Sequence, residues 1–142
     1  MNSFSFKELD AWKLCRELRN EIWLLVKSFP YEEKHVLTDQ MIRASRSATN
    51  NIAEGFGRFH FQENIQFCRV ARGSLHEMLD HISCAYDCSY IDISTNNKFN
   101  EMIIRAIKVL NGYINFLKNS KDQSVNTARE KQEDYSINET NE

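Results

Sequence analysis

Proline occurs once in 142 residues, and the apolar content is 42%. Together these point away from a disordered chain and toward a helical globular one. No window of uncharged apolar sequence approaches the length that spans a bilayer. The start, MNSFSFKELDAWK, carries acidic residues and no unbroken apolar core, so a secretory signal is not expected. Cytoplasm is the expected location, where the four cysteines are reduced thiols. A strong charge of either sign is also missing, since the formal net charge is −2. That argues against a monomer that binds polyanions tightly. Residues Met1 to Lys118 hold 15 basic and 14 acidic side chains, whereas Asn119 to Glu142 hold 3 and 6. There is no internal repeat, no Gly-rich phosphate loop and no catalytic constellation.

What is present centres on one stretch, Thr38 to Arg58, with no proline and no lysine. At about 3.6 residues per turn, Leu37, Met41, Ala44, Ala48 and Ile52 make one apolar stripe. The stripe is mostly small, so a neighbouring helix can come close. Arg43, Arg46 and Asn50 fall on the opposite side, with Ser47 and Glu54 on its border.

Four helices are expected. The first runs from about Phe6 to Phe29, with Ala11, Cys15, Leu18, Ile22, Leu25 and Phe29 as a heptad seam and Ser5 as a cap. Pro30 ends it, and a short turn over Tyr31 to Lys34 follows. The second runs from Thr38, as N-cap, to Phe56, with Gly57 suited to a left-handed position past its end. The third runs from Phe61 to Cys88 without a good N-cap. Its stripe is Phe61, Cys68, Ala71, Leu75, Met78, Ile82 and Ala85, interrupted by Asn64. Gly73 and Ser74 inside it suggest a close helix approach, opposite Ala48 or Gly55. The fourth is capped by Ser94 or Thr95 and ends near Lys118, with Phe99, Ile103, Ala106, Leu110, Tyr113 and Leu117 as its seam. Met102, Val109 and Phe116 form one extra flank, and Ile107 and Ile114 the other. An apolar arc that wide exceeds one bundle seam, so either the helix is central or its extra face meets another subunit, with Met102, Val109 and Phe116 as the expected oligomer interface. Short connections make the helices antiparallel neighbours. The fold class is therefore an all-α, antiparallel up-down four-helix bundle over residues 1–118, with a disordered polar tail over 119–142.

Candidate chemistry is sparse. Glu77, His81, Cys84 and Cys88 share one helical face, but no CxxC pair accompanies them. A structural zinc site usually draws ligands from more than one element. They read as ordinary side chains, and no metal or cofactor is expected. Cys15 and Cys68 lie in core seams, where a thiol is inert. The histidines lack a serine or cysteine partner at a strained turn, so no enzyme is expected.

The arginines carry more information. Between Gln40 and Arg72 every basic residue is arginine: Arg43, Arg46, Arg58, Arg69 and Arg72. Only Glu54 and Glu63 oppose them, so the segment is net +3. Any one arginine reads as a solvated or ion-paired surface residue. The set of five is the candidate nucleic-acid-binding surface, because arginine binds phosphate bidentately. No RNP or zinc-finger pattern accompanies it.

The chain resembles the four-helix-bundle family first met as proteins encoded in intervening sequences of bacterial large-subunit rRNA genes. That family also includes the accessory protein of diversity-generating retroelements. The matching residues are Phe6, Leu9, Trp12, Phe29-Pro30, Leu37, Gln40, Arg43-Ala44 and Ser47. They continue through Asn51-Ile52-Ala53-Glu54-Gly55, Gly57-Arg58, Phe67, Ala71, Gly73-Ser74-Leu75 and Glu77. A departure is Ser47-Ala48-Thr49-Asn50-Asn51-Ile52, where family members often read SIPANI. Without that proline the helix should be straighter. The resemblance implies an up-down bundle. It also implies a ring-shaped homopentamer with a basic surface that contacts nucleic acid and a reverse transcriptase. The motif residues Asn51, Glu54, Gly55, Gly57, Gly73 and Ser74 have two readings, a pin between helices and a ligand contact.

Three functions remain open from the sequence. One is a non-enzymatic homo-oligomer that binds RNA, DNA or a nucleic-acid enzyme. Another is an oligomeric scaffold with a protein partner only. The third is a small-molecule enzyme using a bundle pocket.

Overall fold

The computed structural model describes the backbone of residues 4–139 and the side chains of residues 4–124. Four helices account for the architecture: α1 over Asp10–Leu25, α2 over Leu37–Phe56, α3 over Phe61–Asp87 and α4 over Ile93–Glu139. Each packs on its sequence neighbours, and α1 closes the ring against α4. Arg19 reaches Thr49 while Trp23 lies beside Arg46, so α1 and α2 run antiparallel. Gly55 faces Asn64 where Ser47 faces Ser74, so α2 and α3 do too. This is the expected all-α up-down four-helix bundle.

The core is built from the expected stripes. Leu37, Met41, Ala44, Ala48 and Ile52 are all buried, as are Cys68, Ala71, Leu75, Met78, Ile82 and Ala85. Full burial of one such large apolar side chain is worth about 1.5–3 kcal/mol. Two apolar residues sit elsewhere than expected. Phe61 is exposed at the first position of α3. Ile114, expected on a flank of α4, is buried. Asn64, which interrupts the α3 stripe, is buried with its amide donating to Tyr113 Oη at 3.1 Å. Its carbonyl oxygen accepts from the Cys68 thiol at 3.6 Å.

Helix ends differ from expectation in instructive ways. Ser5 does cap, forming a reciprocal box with Glu8, but it caps a 3₁₀ turn over Phe6–Glu8 ahead of α1. A second 3₁₀ turn, Val26–Ser28, finishes the first helical segment before Pro30. Thr38 is not the cap of α2. Instead the Glu33 carboxylate, from a turn over Tyr31–Glu33, accepts the Leu37 N–H at 3.0 Å. Gly57 has φ −74° and ψ −7°, so it is not left-handed, and any residue type fits its backbone. The left-handed residue is Ser89, φ 61°, in the α3–α4 turn. Asp92, rather than Ser94 or Thr95, caps α4: its Oδ1 accepts the Thr95 N–H at 2.8 Å. That bond holds the Asp92 carboxyl below the usual carboxylate range.

The expected boundary at Lys118 is not a helix end, because the helical backbone continues to Glu139. Just past that boundary, Lys121 Nζ donates to Gln62 Oε1 at 2.6 Å, tying α4 to the start of α3. Of the tail assigned to 119–142, the side chains beyond residue 124 lie outside the described residues. Among the described residues, no helix is long and apolar enough to cross a membrane.

Candidate functional site

The NIAEG segment lies where α2 meets α3. Asn51 Nδ2 donates to the Ser47 carbonyl at 2.8 Å and to Ser47 Oγ at 3.0 Å. Ser47 Oγ lies 2.9 Å from Ser74 Oγ across the interface. Ser74 Oγ also reaches the Val70 carbonyl at 3.3 Å. One direction satisfies all four groups: Asn51 donates to Ser47, Ser47 to Ser74, and Ser74 to Val70. The chain of polar groups is thereby consumed in holding two helices together.

Gly55 marks a close approach of α2 to α3. A Cβ there would lie 2.8 Å from both Asn64 Oδ1 and Phe67 Cβ, and 3.1 Å from the Asn64 carbonyl oxygen. Gly73, expected to mark a close approach, does not: a Cβ there meets nothing within 4 Å. Its position on α3 faces solvent, one residue from the buried Ser74. Glu54 and Arg58 face each other at 3.7 Å, and Arg58 also reaches Glu63 at 3.9 Å. The Arg58 guanidinium sits 4.8 Å from the Phe67 ring centroid. Arg58 is therefore engaged in joining the α2–α3 turn to α3.

The five candidate arginines do not form one patch. Arg72 Nη1 donates to Asn111 Oδ1 at 2.9 Å, linking α3 to α4. Arg69 lies on the α3–α4 side with Gln62, Lys118, Lys121 and Asp122. Only Arg43 and Arg46 share the outer side of α2. The Arg43 side chain is 79% exposed, with Asp39 at 3.9 Å. An exposed pair at that distance contributes little.

On that side the structure adds residues that the arginine count within 40–72 missed. Two adjoining grooves run between α1 and α2, and both are lined by Arg19 and Arg46. Asn20, Trp23, Leu24, Ile42 and Ser45 line one of them. None of the residues lining either groove is acidic. Arg19 Nη1 donates to Thr49 Oγ1 at 3.1 Å, which fixes its guanidinium against α2. Trp23 is 47% exposed. The Arg46 guanidinium lies 5.6 Å from its ring centroid and the Lys27 ammonium 5.4 Å. Arg16 lies 5.6 Å from the ring of Trp12. The signal was in the sequence: Trp12, Arg16, Arg19, Trp23 and Lys27 recur at spacings of four, three, four and four, one helical stripe. It lies outside the heptad seam of α1, to which the apolar pattern draws the eye.

The α4 flank is divided. Met102 and Val109 are partly buried against the core. Phe116 is 62% exposed and borders a groove with Phe4, Phe59 and Phe61 at one end of the bundle. Ile104, beside the expected flank, is exposed as well.

The thiols follow their surroundings. Burial pushes the Cys15 thiol up to about 12 and that of Cys68 up to about 11, so both are protonated and inert. Cys84 and Cys88 are exposed. Residual burial and then the neighbouring Cys88 raise the Cys84 thiol. His81 Nε2 lies 3.9 Å from Glu77 Oε1, beyond hydrogen-bond reach. Among the described residues, no three His, Cys, Asp or Glu side chains converge as a metal site.

Comparison with known proteins places this architecture. A crystal structure of a protein of unknown function from the S23 ribosomal protein family of Bacteroides thetaiotaomicron superimposes with a TM-score of 0.69. It is 21% identical and covers 74% of this chain and 95% of that one, a likeness in fold. No curated protein matches the sequence. The family model described as 23S rRNA-intervening sequence protein matches residues 7–112, which takes in α1, α2, α3 and the first half of α4. With the NIAEG segment at the α2–α3 contact and the bundle fold both in place, the chain belongs to the 23S rRNA-intervening sequence protein family.

Proposed function

We propose that this protein is a non-enzymatic, homo-oligomeric bundle that binds the phosphate backbone of nucleic acid, alone or together with a nucleic-acid enzyme such as a reverse transcriptase. The observation that carries the proposal is the α1–α2 side, where Arg19 and Arg46 line two adjoining grooves with no carboxylate among the lining residues. Arg43 stands exposed beside them. Phosphate is the anion that a guanidinium fork matches in geometry.

Oligomer formation supplies what a chain of net charge −2 lacks. Repeating one arginine side around a symmetric assembly multiplies local positive charge without a basic composition. The exposed Phe116, with Phe4, Phe59 and Phe61 nearby, offers apolar surface for contact between copies. A pentameric ring is the assembly that the family resemblance suggests, and cytoplasm is the compartment.

The test is salt-dependent binding. Wild-type protein should bind RNA or DNA at about 50 mM salt and lose affinity steeply as salt rises. Replacing Arg43 and Arg46 by alanine should flatten the slope by about one unit per lost phosphate contact, with the fold intact. Light scattering in the same buffer should give a multiple of the monomer mass. Absence of binding to any nucleic acid at low salt would leave the oligomeric scaffold with a protein partner as the better reading.

A further inference from the structure

We infer that the α1–α2 groove is a stacking site for an unpaired nucleobase, with Trp23 as the platform, so that the protein prefers single-stranded nucleic acid to duplex. This rests on the phosphate-binding reading above and adds the class of strand to it.

Four observations carry it. First, Trp23 is a large aromatic left 47% exposed at the mouth of a groove, whereas Trp12 on the same stripe is 7% exposed. Second, two cations lie over that ring, Lys27 from the 3₁₀ turn after α1 and Arg46 from α2. Third, Arg19 and Arg46 border both adjoining grooves, and neither groove is lined by a carboxylate. Fourth, Arg16 and Arg19 lie between Trp12 and Trp23 on one stripe of α1, and Lys27 extends that stripe in the 3₁₀ turn that follows. Single-strand binders combine these two elements, an aromatic ring that takes a base face and a basic track that follows the backbone.

The geometry gives each part a task. Arg46 now rests against the Trp23 ring at 5.6 Å, a distance at which the cation and the ring attract each other. A phosphate arriving at Arg46 offers the guanidinium a stronger, bidentate partner. The ring face is then open to the base on the same nucleotide. Arg19 is held by Thr49 and stays in place for the neighbouring phosphate. Asn20 lines the same groove and can meet the edge of a base, although stacking itself is indifferent to sequence. In duplex the bases are already paired and stacked, so Trp23 has nothing to take.

The experiment uses the full chain. Oligothymidine, oligouridine and a duplex of equal length are titrated while tryptophan emission is followed. Trp12 lines the adjoining groove, so its share of the emission change is read from the Trp23→Phe variant. The single strands should quench Trp23 emission and bind more tightly than duplex. Comparison of the two homopolymers tells whether the sugar matters. Trp23→Ala should weaken single-strand binding about tenfold or more, the range that one stacked base contributes. It should leave duplex binding nearly unchanged. Trp23→Phe, which keeps a ring, should retain most of the affinity and lose the quenching. Melting curves of both variants establish that they are folded. If single strand and duplex bind equally and Trp23→Ala changes neither, the stacking site is wrong while the phosphate reading stands. Should Trp23→Ala weaken both alike, Trp23 only positions Arg46, and the inference again fails. If the wild type binds no nucleic acid at low salt, both readings fall together.

Discussion

Where α2 meets α3, Gly55 brings the two helices close enough that one added Cβ would clash. Where α2 meets α1, Arg19, Trp23 and Arg46 hold the surfaces apart and leave grooves between them. The same helix thus presents short side chains on one side and long cationic ones on the other. On the first side one run of hydrogen bonds stays within the protein, from Asn51 through Ser47 and Ser74 to Val70. On the second, Arg46 rests on an aromatic ring, Arg19 donates one bond to Thr49, and the exposed Arg43 has only Asp39 at 3.9 Å. Pairing within the fold supports a packing role for Asn51, Ser47 and Ser74, and the contrast favours the α2 arginines as the proposed recognition surface.

Substitutions on the two sides should separate accordingly. Ile52 is fully buried beneath both, and Ile52→Ala should cost about 2–5 kcal/mol in urea or thermal denaturation. A loss below about 1 kcal/mol would mean that the α2 stripe can collapse around the cavity. Gly55→Ala should cost about 1–3 kcal/mol, because Phe67 Cβ and the Asn64 carbonyl cannot swing away. Gly73→Ala should go the other way and stabilise by about 0.4–1 kcal/mol, since the site is open and helical. Equal signs for these two glycines would break the assignment of the close contact to Gly55. Arg43→Ala with Arg46→Ala should shift stability by no more than about 1 kcal/mol, the scale of an exposed cation–π contact, while changing nucleic-acid affinity. The smallest effect should come from Tyr90, whose hydrogen bond to Glu33 pushes the phenol up to about 12 from 10.0. A raised folded value stabilises below pH 10 and loses that contribution as pH rises through 12. Phenolate absorbance should show one tyrosine titrating late, and Glu33→Gln should bring it back.

The apolar stripes were legible because each helix is long and one side of it is buried. Leu37 to Ile52 repeat the helical period over several turns, and each member is buried. Helix ends were less legible. Nothing in the spacing of Glu33 and Leu37 distinguishes a capping carboxylate from a solvated one until the intervening turn is folded. The two glycines show the same limit. Both interrupt a helix, and only the rotation of α2 against α3 decides that Gly55 meets a neighbour and Gly73 does not. For the arginines, proximity in sequence misled. Arg69 and Arg72 follow Arg58 closely in the chain but turn toward α4, while Arg19, distant in sequence, stands beside Arg46. Phe116 met the expectation of an exposed flank, whereas Met102 and Val109 are partly covered by the bundle itself.

Glu33 uses both carboxylate oxygens at the end of the bundle where two connections lie side by side. Oε2 accepts the first amide of α2, and Oε1 accepts the Tyr90 hydroxyl from the α3–α4 turn. Tyr90 also packs on Phe29, with ring centroids 5.4 Å apart, just before the proline that starts the first connection. The two connections therefore open as one unit rather than independently. Amide exchange at Leu37 and protease cleavage around Ser89 should accelerate together in a Glu33→Ala variant, although the two sites are remote in sequence. The opposite end of the bundle, where Gly55 meets Asn64, should keep its protection.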